Sequence, residues 1–497
     1  MTAPRPFRID AWIFPPEIPA PTAFEHIDAG ALGIRYPKSD HDLAQHLTSS
    51  LRNARATLAA MSTDEMITLL GSVGEHFPHT LDDDAIAEIA ANSGLSPAMT
   101  RETLAGMAAS WNTRALDRLV RAEFPDPRVL DGFVAETDRA VRASAPGITL
   151  HFGAGSVPGV TVTSMIRALL VRSPVLVKPG AGDAALTTRF ARELHRADPR
   201  FAAAVAVHYW PGGAPAWQAW ERELLTRADQ VVIYGGNDTL ESIRARAPAS
   251  TRLIEHPHRL GVAIVDPRAA PGAAAEAARA VSLFDQKGCV STHLILLLGD
   301  RTEAHRWCKR LAEHLTRTAA TLPAGSLTPG EMSSLHQLRG RLAMRGAASE
   351  DIEIRSPEDT EWTLVLAAAE RFEPVGGRTA WVVPISDLEG CLEILAPLSP
   401  VLQTVGLAGV GDETVVPRCA CEKQPAGKAG IGENRAVERV ADRTGIGNFA
   451  EELAALGATR IVPLGEVPFP QPEWLHDGSR PLGELVRWSE LRSPERA

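Results

Sequence analysis

The spacing of apolar residues divides the chain into a helical first part and a longer part in which short strands alternate with helices. In the segments AQHLTSSLRNARATLAAM and MTRETLAGMAASWNTRALDRLVRAEF, apolar residues recur every three or four positions, which is typical of amphipathic helices. The pattern predicts a helical N-terminal region, residues 1–140, that forms a layer covering another domain.

From about residue 148 the pattern changes to short β-rich runs separated by helical segments. The runs ITLHF, PVLVKPG, AVAVHYW and QVVIYGG come first, and GVAIVD, STHLILLLG, WTLVLAA, TAWVVPI and LQTVGLAG follow. Alternating strands and helices predict parallel sheets. We therefore expect an α/β protein with one sheet domain over residues 141–258 and a second over residues 259–440. A C-terminal strand and tail, residues 441–497, would serve packing or oligomerisation.

The composition excludes several classes of protein. The chain has 497 residues, 44% of them hydrophobic, and can bury a large core. Its 51 basic and 61 acidic residues give a net charge of -10 without a block of like charges, so no nucleic-acid partner is expected. Prolines interrupt the N-terminal segment where a signal peptide needs apolar residues, and no later run has the length of a membrane span. The sequence predicts a cytoplasmic protein.

The cysteines and histidines do not predict a metal site. Five cysteines in so long a chain form no disulfide framework and fit a reducing compartment. The pair Cys419 and Cys421 and the segment Glu255-His256-Pro257-His258 each contain metal-binding residue types. Neither has further ligands at suitable spacing, so we expect no metal.

A glycine pattern after ITLHF imitates the dinucleotide-binding fingerprint without matching it. Gly153, Gly155 and Gly159 are present, but Pro158 occupies the position that requires the third glycine. The residue before a proline favours an extended backbone, where the phosphate-binding helix should begin. This segment is therefore not predicted to bind a dinucleotide as a Rossmann fingerprint does.

Two other strand ends are candidates for cofactor binding. Lys178 follows a buried strand, and the carboxyl ends of parallel strands face the ligand crevice. Its amine is either a partner for a cofactor phosphate or ribose, or a solvated lysine. Gly235 and Gly236 lie between a strand and a helix and leave backbone amides free for a pyrophosphate, although Gly-Gly is also an ordinary turn.

The segment FDQKGCVST contains the strongest candidate for catalysis. Cys289 follows a glycine and immediately precedes a buried strand, so its thiol can lie at the edge of an element and act as a nucleophile. The alternative is a buried, inert cysteine. Glu255, His256 or His258 is a candidate for proton transfer beside such a nucleophile.

In this order, the motifs resemble the aldehyde dehydrogenase superfamily, and more closely the LuxC-like acyl-CoA reductases, which are related to the fatty-acid reductase of bacterial luminescence. The segment 154–159 resembles A-G-N-V-P-G of that family, VLVKPG its cofactor lysine motif and IYGGN its glycine turn. The segment 285–289 resembles D-Q-x-x-C around the nucleophile, and the ending from Arg460 through the segment 474–478 is also similar.

The resemblance implies an aldehyde-dehydrogenase-like fold of two Rossmann-type parallel-sheet domains with a helical N-terminal layer. It further implies reduction of an acyl thioester, either acyl-CoA or acyl carrier protein, to an aldehyde through an acyl-enzyme on Cys289. Ser156 stands where the family has an asparagine that helps to hold the oxyanion. Glu255 falls on the superfamily's base glutamate, and His258 lies beside it. A homo-oligomer is expected by analogy.

The same resemblance implies the residues that bind the cofactor, which are Lys178, Pro179, Gly235, Gly236 and Glu370. Glu370 falls on the glutamate that holds the nicotinamide ribose. The position three after the lysine, often glutamate in relatives that use NAD, is alanine here, which favours NADPH, although NADH remains possible. Two other functions stay open: oxidation of an aldehyde to an acid, and a non-catalytic scaffold in a multi-protein complex.

Overall fold

A computed structural model describes residues 7–29, 32–348, 351–410 and 447–492. The pair Cys419 and Cys421 lies outside these residues. The described strands are β1 (Phe7–Asp10), β2 (Trp12–Ile13), β3 (Phe24–Ala29), β4 (Leu32–Pro37), β5 (Val134–Ala135), β6 (Ala140–Ser144), β7 (Thr149–Phe152), β8 (Val175–Lys178), β9 (Val205–His208), β10 (Gln230–Tyr234), β11 (Arg252–His256), β12 (Leu260–Val265), β13 (Thr292–Leu298), β14 (Glu353–Arg355), β15 (Thr363–Leu366), β16 (Thr379–Ile385), β17 (Leu402–Ala408), β18 (Arg460–Pro463) and β19 (Arg487–Leu491).

The described helices are α1 (His41–Ala59), α2 (Thr63–His76), α3 (Asp83–Ser93), α4 (Pro97–Ala108), α5 (Thr113–Glu123), α6 (Val160–Leu170), α7 (Ala184–Ala197), α8 (Pro199–Ala204), α9 (Gln218–Arg227), α10 (Asn237–Arg244), α11 (Ala273–Ser282), α12 (Arg301–Thr321), α13 (Pro329–Ala348), α14 (Leu388–Leu395) and α15 (Gly447–Ala455). Side chains at the N-caps satisfy the first backbone N–H groups of many of them. Ser96, for example, accepts a hydrogen bond from the backbone N–H of Met99 at the start of α4.

The chain divides into two compact units. The first unit comprises Met1–His258 and Gln471–Ala497, and the second comprises Arg259–Pro470. The predicted helical region 1–140 belongs to the first unit, and its helices share one hydrophobic core with the sheet of that unit. The region is not helical throughout, because β1 to β4 precede α1. These strands are short and mixed in polarity, so the pattern of apolar residues did not reveal them.

The sheet of the first unit contains the strands expected to bind the cofactor. Its order is β11-β10-β7-β8-β9-β2, and every neighbouring pair is parallel except β2 with β9. The chain runs from β7 outward through β8 and β9, and then returns to place β10 on the other side of β7. In parallel sheets, ligands bind outside the carboxyl ends of the strands where the order reverses. That position lies between β7 and β10.

The sheet of the second unit is covered on both faces. Its order is β14-β15-β16-β13-β12-β17-β18, parallel except for β14. Along β12, Ala263 and Val265 pack in the core with α11 and α12, whereas Val262 and Ile264 pack in the core with α13, α14 and α15. Burial on both faces explains why these strands are continuous apolar runs in the sequence.

Two small sheets complete the first unit, with the orders β1-β4-β3 and β19-β6-β5. Among the described helices, none combines the length and the apolar character that a bilayer crossing requires.

Candidate active site

The glycine turn after β7 leads into α6 and carries Ser156, which is exposed. Gly159, at the N-cap of α6, has a φ of 97°, a left-handed conformation that favours glycine. The carboxyl group of Asp183 is buried at this helix N-terminus, where the backbone N–H groups of Gly159 and Thr161 face it. Burial raises the pKa of Asp183 to about 7, although those N–H groups and nearby hydroxyls oppose the shift. The chain's own carboxyl group thus takes the place of a phosphate.

The glycine turn after β10 has an open helix N-terminus. Gly236 is the N-cap of α10, is exposed, and has no atom within 4 Å of the position that a Cβ would occupy. The backbone N–H of Gly235 donates to the carbonyl of His256, at a distance of 3.3 Å, which ties the turn to the end of β11. An open helix N-terminus at the carboxyl edge of a parallel sheet suits a pyrophosphate.

Lys178 lies at the carboxyl end of β8, against two aromatic rings. Its Nζ is 5.6 Å from the ring centroid of Tyr209 and 5.8 Å from that of Trp210. Burial of the amine lowers the pKa of Lys178 to about 8, although the negative charge of Glu221 opposes the shift. The amine is therefore a titratable cation held in place by aromatic faces.

The loops after β7 and β8 pack closely together. A Cβ added at Gly180 would lie 2.4 Å from the Cα of Gly155, so the contact requires a glycine. Asn92 fixes the second loop, because its side chain donates to the carbonyl of Ala181 at 2.7 Å and accepts from the N–H of Ala185 at 3.0 Å. The structure thus brings the loop of Ser156 beside Pro179, which is buried, and Lys178.

Glu255 is engaged by an arginine. Its carboxylate forms a two-point ion pair with Arg244, in which Arg244 Nε donates to Oε1 at 2.8 Å. His258 is exposed, two residues after the end of β11. The proposed roles of both residues in proton transfer stay predictions.

His256 forms a buried cluster with two residues that sequence reasoning did not select. The Nδ1 atom of His256 lies 2.9 Å from Asp477 Oδ2, and His476 Nε2 lies 3.7 Å from the same oxygen. We call His256, His476 and Asp477 the histidine cluster. Tyr234 and Trp474 extend it, because each stacks on one of the two imidazole rings at 4.5 Å. The motif W-L-H-D-G was visible in the sequence, but nothing placed it near His256.

The geometry of the histidine cluster suits a shared proton better than a metal ion. Its possible ligand atoms all lie within 4.8 Å of one another. However, the His256 and His476 rings are stacked, with centroids 4.1 Å apart and an interplanar angle of 13°. A metal lies close to the plane of each imidazole that binds it, and two nearly parallel planes at this separation do not meet at an ion. That the protein binds no metal stays a prediction.

Cys289 lies in the second unit, on a turn that precedes β13, and is partly exposed. Arg460 is buried and fixed by two backbone carbonyls, those of Val467 at 2.8 Å and Glu466 at 2.6 Å. Burial lowers the pKa of Arg460 to about 10, while the negative charges of Glu466 and Cys289 oppose the shift. Arg460 is thus a buried cation within electrostatic reach of Cys289.

The other described cysteines differ from Cys289. Cys308 and Cys391 are buried, and burial raises the pKa of each thiol to about 12. These two are structural residues that remain protonated at neutral pH. Glu370, predicted to hold the cofactor ribose, is exposed on the connection between β15 and β16. Its role stays a prediction.

Solved structures of aldehyde dehydrogenases have this fold. Aldehyde dehydrogenase 21 from Physcomitrella patens, solved with the reaction product succinate, matches with a TM-score of 0.71 and 11% identity, over 99% of this chain and 100% of that chain. An NAD-dependent aldehyde dehydrogenase from Sinorhizobium meliloti matches with a TM-score of 0.67 and 14% identity, over 100% and 98%. The protein therefore has the aldehyde dehydrogenase fold, as the sequence predicted.

Within this class the chain belongs to the acyl-CoA reductase (LuxC) family, whose model matches residues 58–417. A similar curated protein is the long-chain acyl-protein thioester reductase of Photobacterium phosphoreum, 25% identical over 412 residues, which are 81% of this chain and 74% of the relative. The family resemblance and the class of reaction, reduction of an acyl thioester to an aldehyde, are confirmed.

Proposed function

We propose that the chain reduces the thioester of a long-chain acyl group to an aldehyde, with NADPH as the hydride donor and Cys289 as the acyl acceptor. The observation that carries this proposal is the partly exposed thiol of Cys289 on the turn that leads into β13, within electrostatic reach of the buried cation Arg460. The names of the relatives favour a long-chain acyl group on a protein thiol as substrate, and acyl-CoA is the second donor to test.

Cys289 performs the first step. Its thiolate attacks the thioester carbonyl, and the bond from that carbon to the donor sulfur breaks, so that the CoA or carrier thiolate leaves. The backbone N–H of Cys289 and the hydroxyl of Ser156 are the proposed donors to the oxyanion. After reduction, the bond between Cys289 and the former acyl carbon breaks, which releases the aldehyde and restores the thiolate.

The first unit fits a nicotinamide dinucleotide. The open N-terminus of α10, with Gly235 and Gly236, suits the pyrophosphate. Lys178 supplies a cation for a ribose or its phosphate, and Ala181 adds no carboxylate that would repel a 2'-phosphate. When bound, the reduced nicotinamide supplies the hydride that the acyl group needs. Pro179 and Glu370 are the further proposed cofactor contacts.

The proton that the reaction consumes goes to the leaving thiolate. His256, held by Asp477, is our proposed source of it, with His258 as the alternative. The ion pair with Arg244 engages both carboxylate oxygens of Glu255, so Glu255 must leave Arg244 before it can activate water. This arrangement favours thioester reduction over oxidation to an acid, since only oxidation must hydrolyse the acyl-enzyme. We also propose that the chain forms a homo-oligomer, which a measurement of its molar mass in solution would test.

The test is an assay of the purified protein with a panel of acyl-CoAs and acyl carrier proteins, with NADPH or NADH, in which the aldehyde is trapped. Without reductant, the intact mass should rise by one acyl group on Cys289. We expect that Cys289→Ala abolishes both the acyl adduct and the aldehyde, whereas Cys391→Ala, which removes a buried thiol, retains them. Acid as the main product, or aldehyde formation by Cys289→Ala, contradicts the proposal. A clear preference for NADH contradicts its cofactor.

A further inference from the structure

The turn before Cys289 has an unusual backbone. Phe284, Asp285 and Gln286 have φ values of 58°, 51° and 59°, so three consecutive residues that are not glycine adopt the left-handed conformation. Side chains with a Cβ rarely adopt it, and runs of it are rarer still. We call residues 284–289 the nucleophile turn. Such a run persists only where the surrounding structure holds it.

A second left-handed run lies opposite the first. Gly376, Gly377 and Arg378 have φ values of 75°, 60° and 54° and lead directly into β16. We call residues 376–379 the arginine turn. Both turns belong to the second unit. One pair of side chains and one contact from a side chain to the backbone join them.

The first joint is a buried ion pair. Arg378 Nε donates to Asp285 Oδ1 at 2.8 Å, and Arg378 Nη2 lies 2.7 Å from the same oxygen. The other carboxylate oxygen accepts from the backbone N–H of Gly325 at 3.0 Å, and Arg378 Nη1 donates to the carbonyl of Leu322 at 2.9 Å. Arg378 is 1% exposed and Asp285 is 4% exposed, so removal of Arg378 leaves the buried carboxylate of Asp285 without its cation. Removal of Asp285 leaves Arg378 with only the more distant carboxylate of Glu361, 3.5 Å from Nη1.

The second joint closes the loop that contains Cys289. Gln286 Nε2 donates to the carbonyl of Thr292 at 2.8 Å and to that of Thr379 at 2.9 Å. Gln286 Oε1 accepts from the backbone N–H of Thr379 at 2.6 Å. The side chain of Gln286 therefore bridges both ends of the segment 286–292 and fixes it to the arginine turn, with Cys289 in the middle of the closed loop.

Resting on the function proposed above, we infer that Asp285, Gln286, Arg378 and Thr379 are positioning residues that hold the strained nucleophile turn and so present the sulfur of Cys289 for attack. Phe284 supports the same turn from another side, because its buried ring packs edge-on against Phe469 with centroids 5.3 Å apart. The motif D-Q-x-x-C therefore contains a nucleophile and its two anchors. The segment G-G-R-T, residues 376–379, supplies their partners.

The test measures the reactivity of Cys289 without substrate or cofactor. The first variant is Gln286→Glu, which replaces the amide that donates to two carbonyls by a carboxylate that can only accept. The second is Arg378→Lys, which keeps the positive charge but loses the planar guanidinium that donates to both Asp285 and Leu322. The control is Arg339→Lys. Arg339 also lies in the second unit and donates to the carbonyls of Trp362 at 2.9 Å and Asp359 at 2.6 Å and to the hydroxyl of Thr363 at 2.9 Å, and these partners lie outside both turns. The readout is the rate of Cys289 alkylation by iodoacetamide, followed by peptide mass spectrometry and compared well below the melting temperature of each variant.

We expect Cys289 alkylation to slow about tenfold in Gln286→Glu and Arg378→Lys, while Arg339→Lys reacts at the wild-type rate even where its melting temperature falls equally. A merely structural role for the two joints would lower stability without this difference, so wild-type or faster alkylation in a folded variant overturns the inference. If Gln286→Glu or Arg378→Lys does not fold, Asp285→Asn decides in the same way. Asparagine tolerates the left-handed conformation and retains an oxygen acceptor but loses the charge.

The outcomes separate this inference from the proposed function. If alkylation of Cys289 slows in Gln286→Glu and Arg378→Lys, but the Cys289→Ala variant still forms aldehyde, only the proposed function is overturned. Unchanged alkylation in both joint variants, beside a wild type that forms aldehyde through Cys289, would overturn the positioning role only.

Discussion

The two glycine turns at the carboxyl edge of the first sheet look similar in sequence and differ in one respect. Both follow a strand and lead into a helix, yet the N-terminus of α6 faces the buried carboxyl group of Asp183, whereas that of α10 is open at Gly236. Backbone N–H groups at a helix N-terminus attract an anion. The first turn has an internal carboxyl group that becomes an anion as the pH rises above about 7, and the second leaves its N-cap position open.

This difference teaches that a glycine pattern alone does not identify a phosphate site. At the first turn, Gly155 and Gly180 serve the close packing of two loops. At the second turn, the space around the Cβ position of Gly236 is open, which leaves room for a ligand. The comparison supports the proposal that the second turn binds the cofactor, and substitutions at Gly236, Lys178 and Asp183 test it.

The largest expected effect comes from placing a carboxylate at the N-cap of the second turn, in addition to that of Asp238 in the first turn of α10. In Gly236→Asp, a carboxylate at the open N-terminus of α10 would compete with the pyrophosphate and repel it. We expect the KM for NADPH to rise by about 100-fold. The measurement is steady-state kinetics at fixed acyl thioester, with direct NADPH titration by fluorescence.

Gly236→Ala is the matched control. Gly236 has a φ of -72°, which any residue adopts, and its Cβ position is open, so alanine should change the KM by less than about threefold. An unchanged KM in Gly236→Asp would contradict the assignment of the pyrophosphate to this turn.

A smaller effect is expected from titration of Lys178, on the strand beside β7. Because the pKa of Lys178 is lowered to about 8, its amine is charged below pH 8 and loses the charge as the pH rises above it. Cofactor binding should therefore weaken by about tenfold between pH 8 and pH 9.5. Lys178→Arg, which stays charged, should remove this dependence, and Lys178→Met should bind weakly at every pH. Equal pH profiles for wild type and Lys178→Arg would show that another group titrates.

The sequence was sufficient to predict the sheets and to single out Cys289 as the proposed nucleophile, because both depend on local pattern. Buried parallel strands are continuous apolar runs, and D-Q-x-x-C is a contiguous motif. The N-terminal strands were missed because they are short and partly polar. The fold class needed the order of motifs along the chain, which the family model and the solved structures then confirmed.

The supporting residues were not predictable, because their partners are distant in sequence. Asp477 meets His256 across 221 positions, and Arg378 meets Asp285 across 93. Asp183, in the segment G-A-G-D, and Arg378, after two glycines, are not part of any sequence motif that would have marked them as functional. Only the folded topology gives them a role.

The smallest expected effect on activity comes from removing the internal anion of the first turn. In Asp183→Asn the side chain keeps its shape but no longer titrates. In the wild type, the pKa of Asp183 is about 7 in the folded state, above its ordinary value of 3.8. Between those values the folded protein binds more protons than the unfolded chain, so the free energy of unfolding falls as the pH rises from about 4 to about 7. At 1.36 kcal/mol for each unit of pKa, the loss is on the order of 4 kcal/mol.

Asp183→Asn should remove that slope, so its melting temperature relative to wild type should be higher at pH 8 than at pH 5. Its KM for NADPH should stay near the wild-type value, because Gly155 and Gly180 still close the first turn by packing. Thermal unfolding at both pH values and the NADPH titration above check the two statements together. Parallel stability curves for wild type and Asp183→Asn would mean that Asp183 does not carry the charge change. A variant with tighter NADPH binding would mean instead that the first turn accepts the phosphate once its own anion is gone, and the distinction between the two turns would then be one of charge alone.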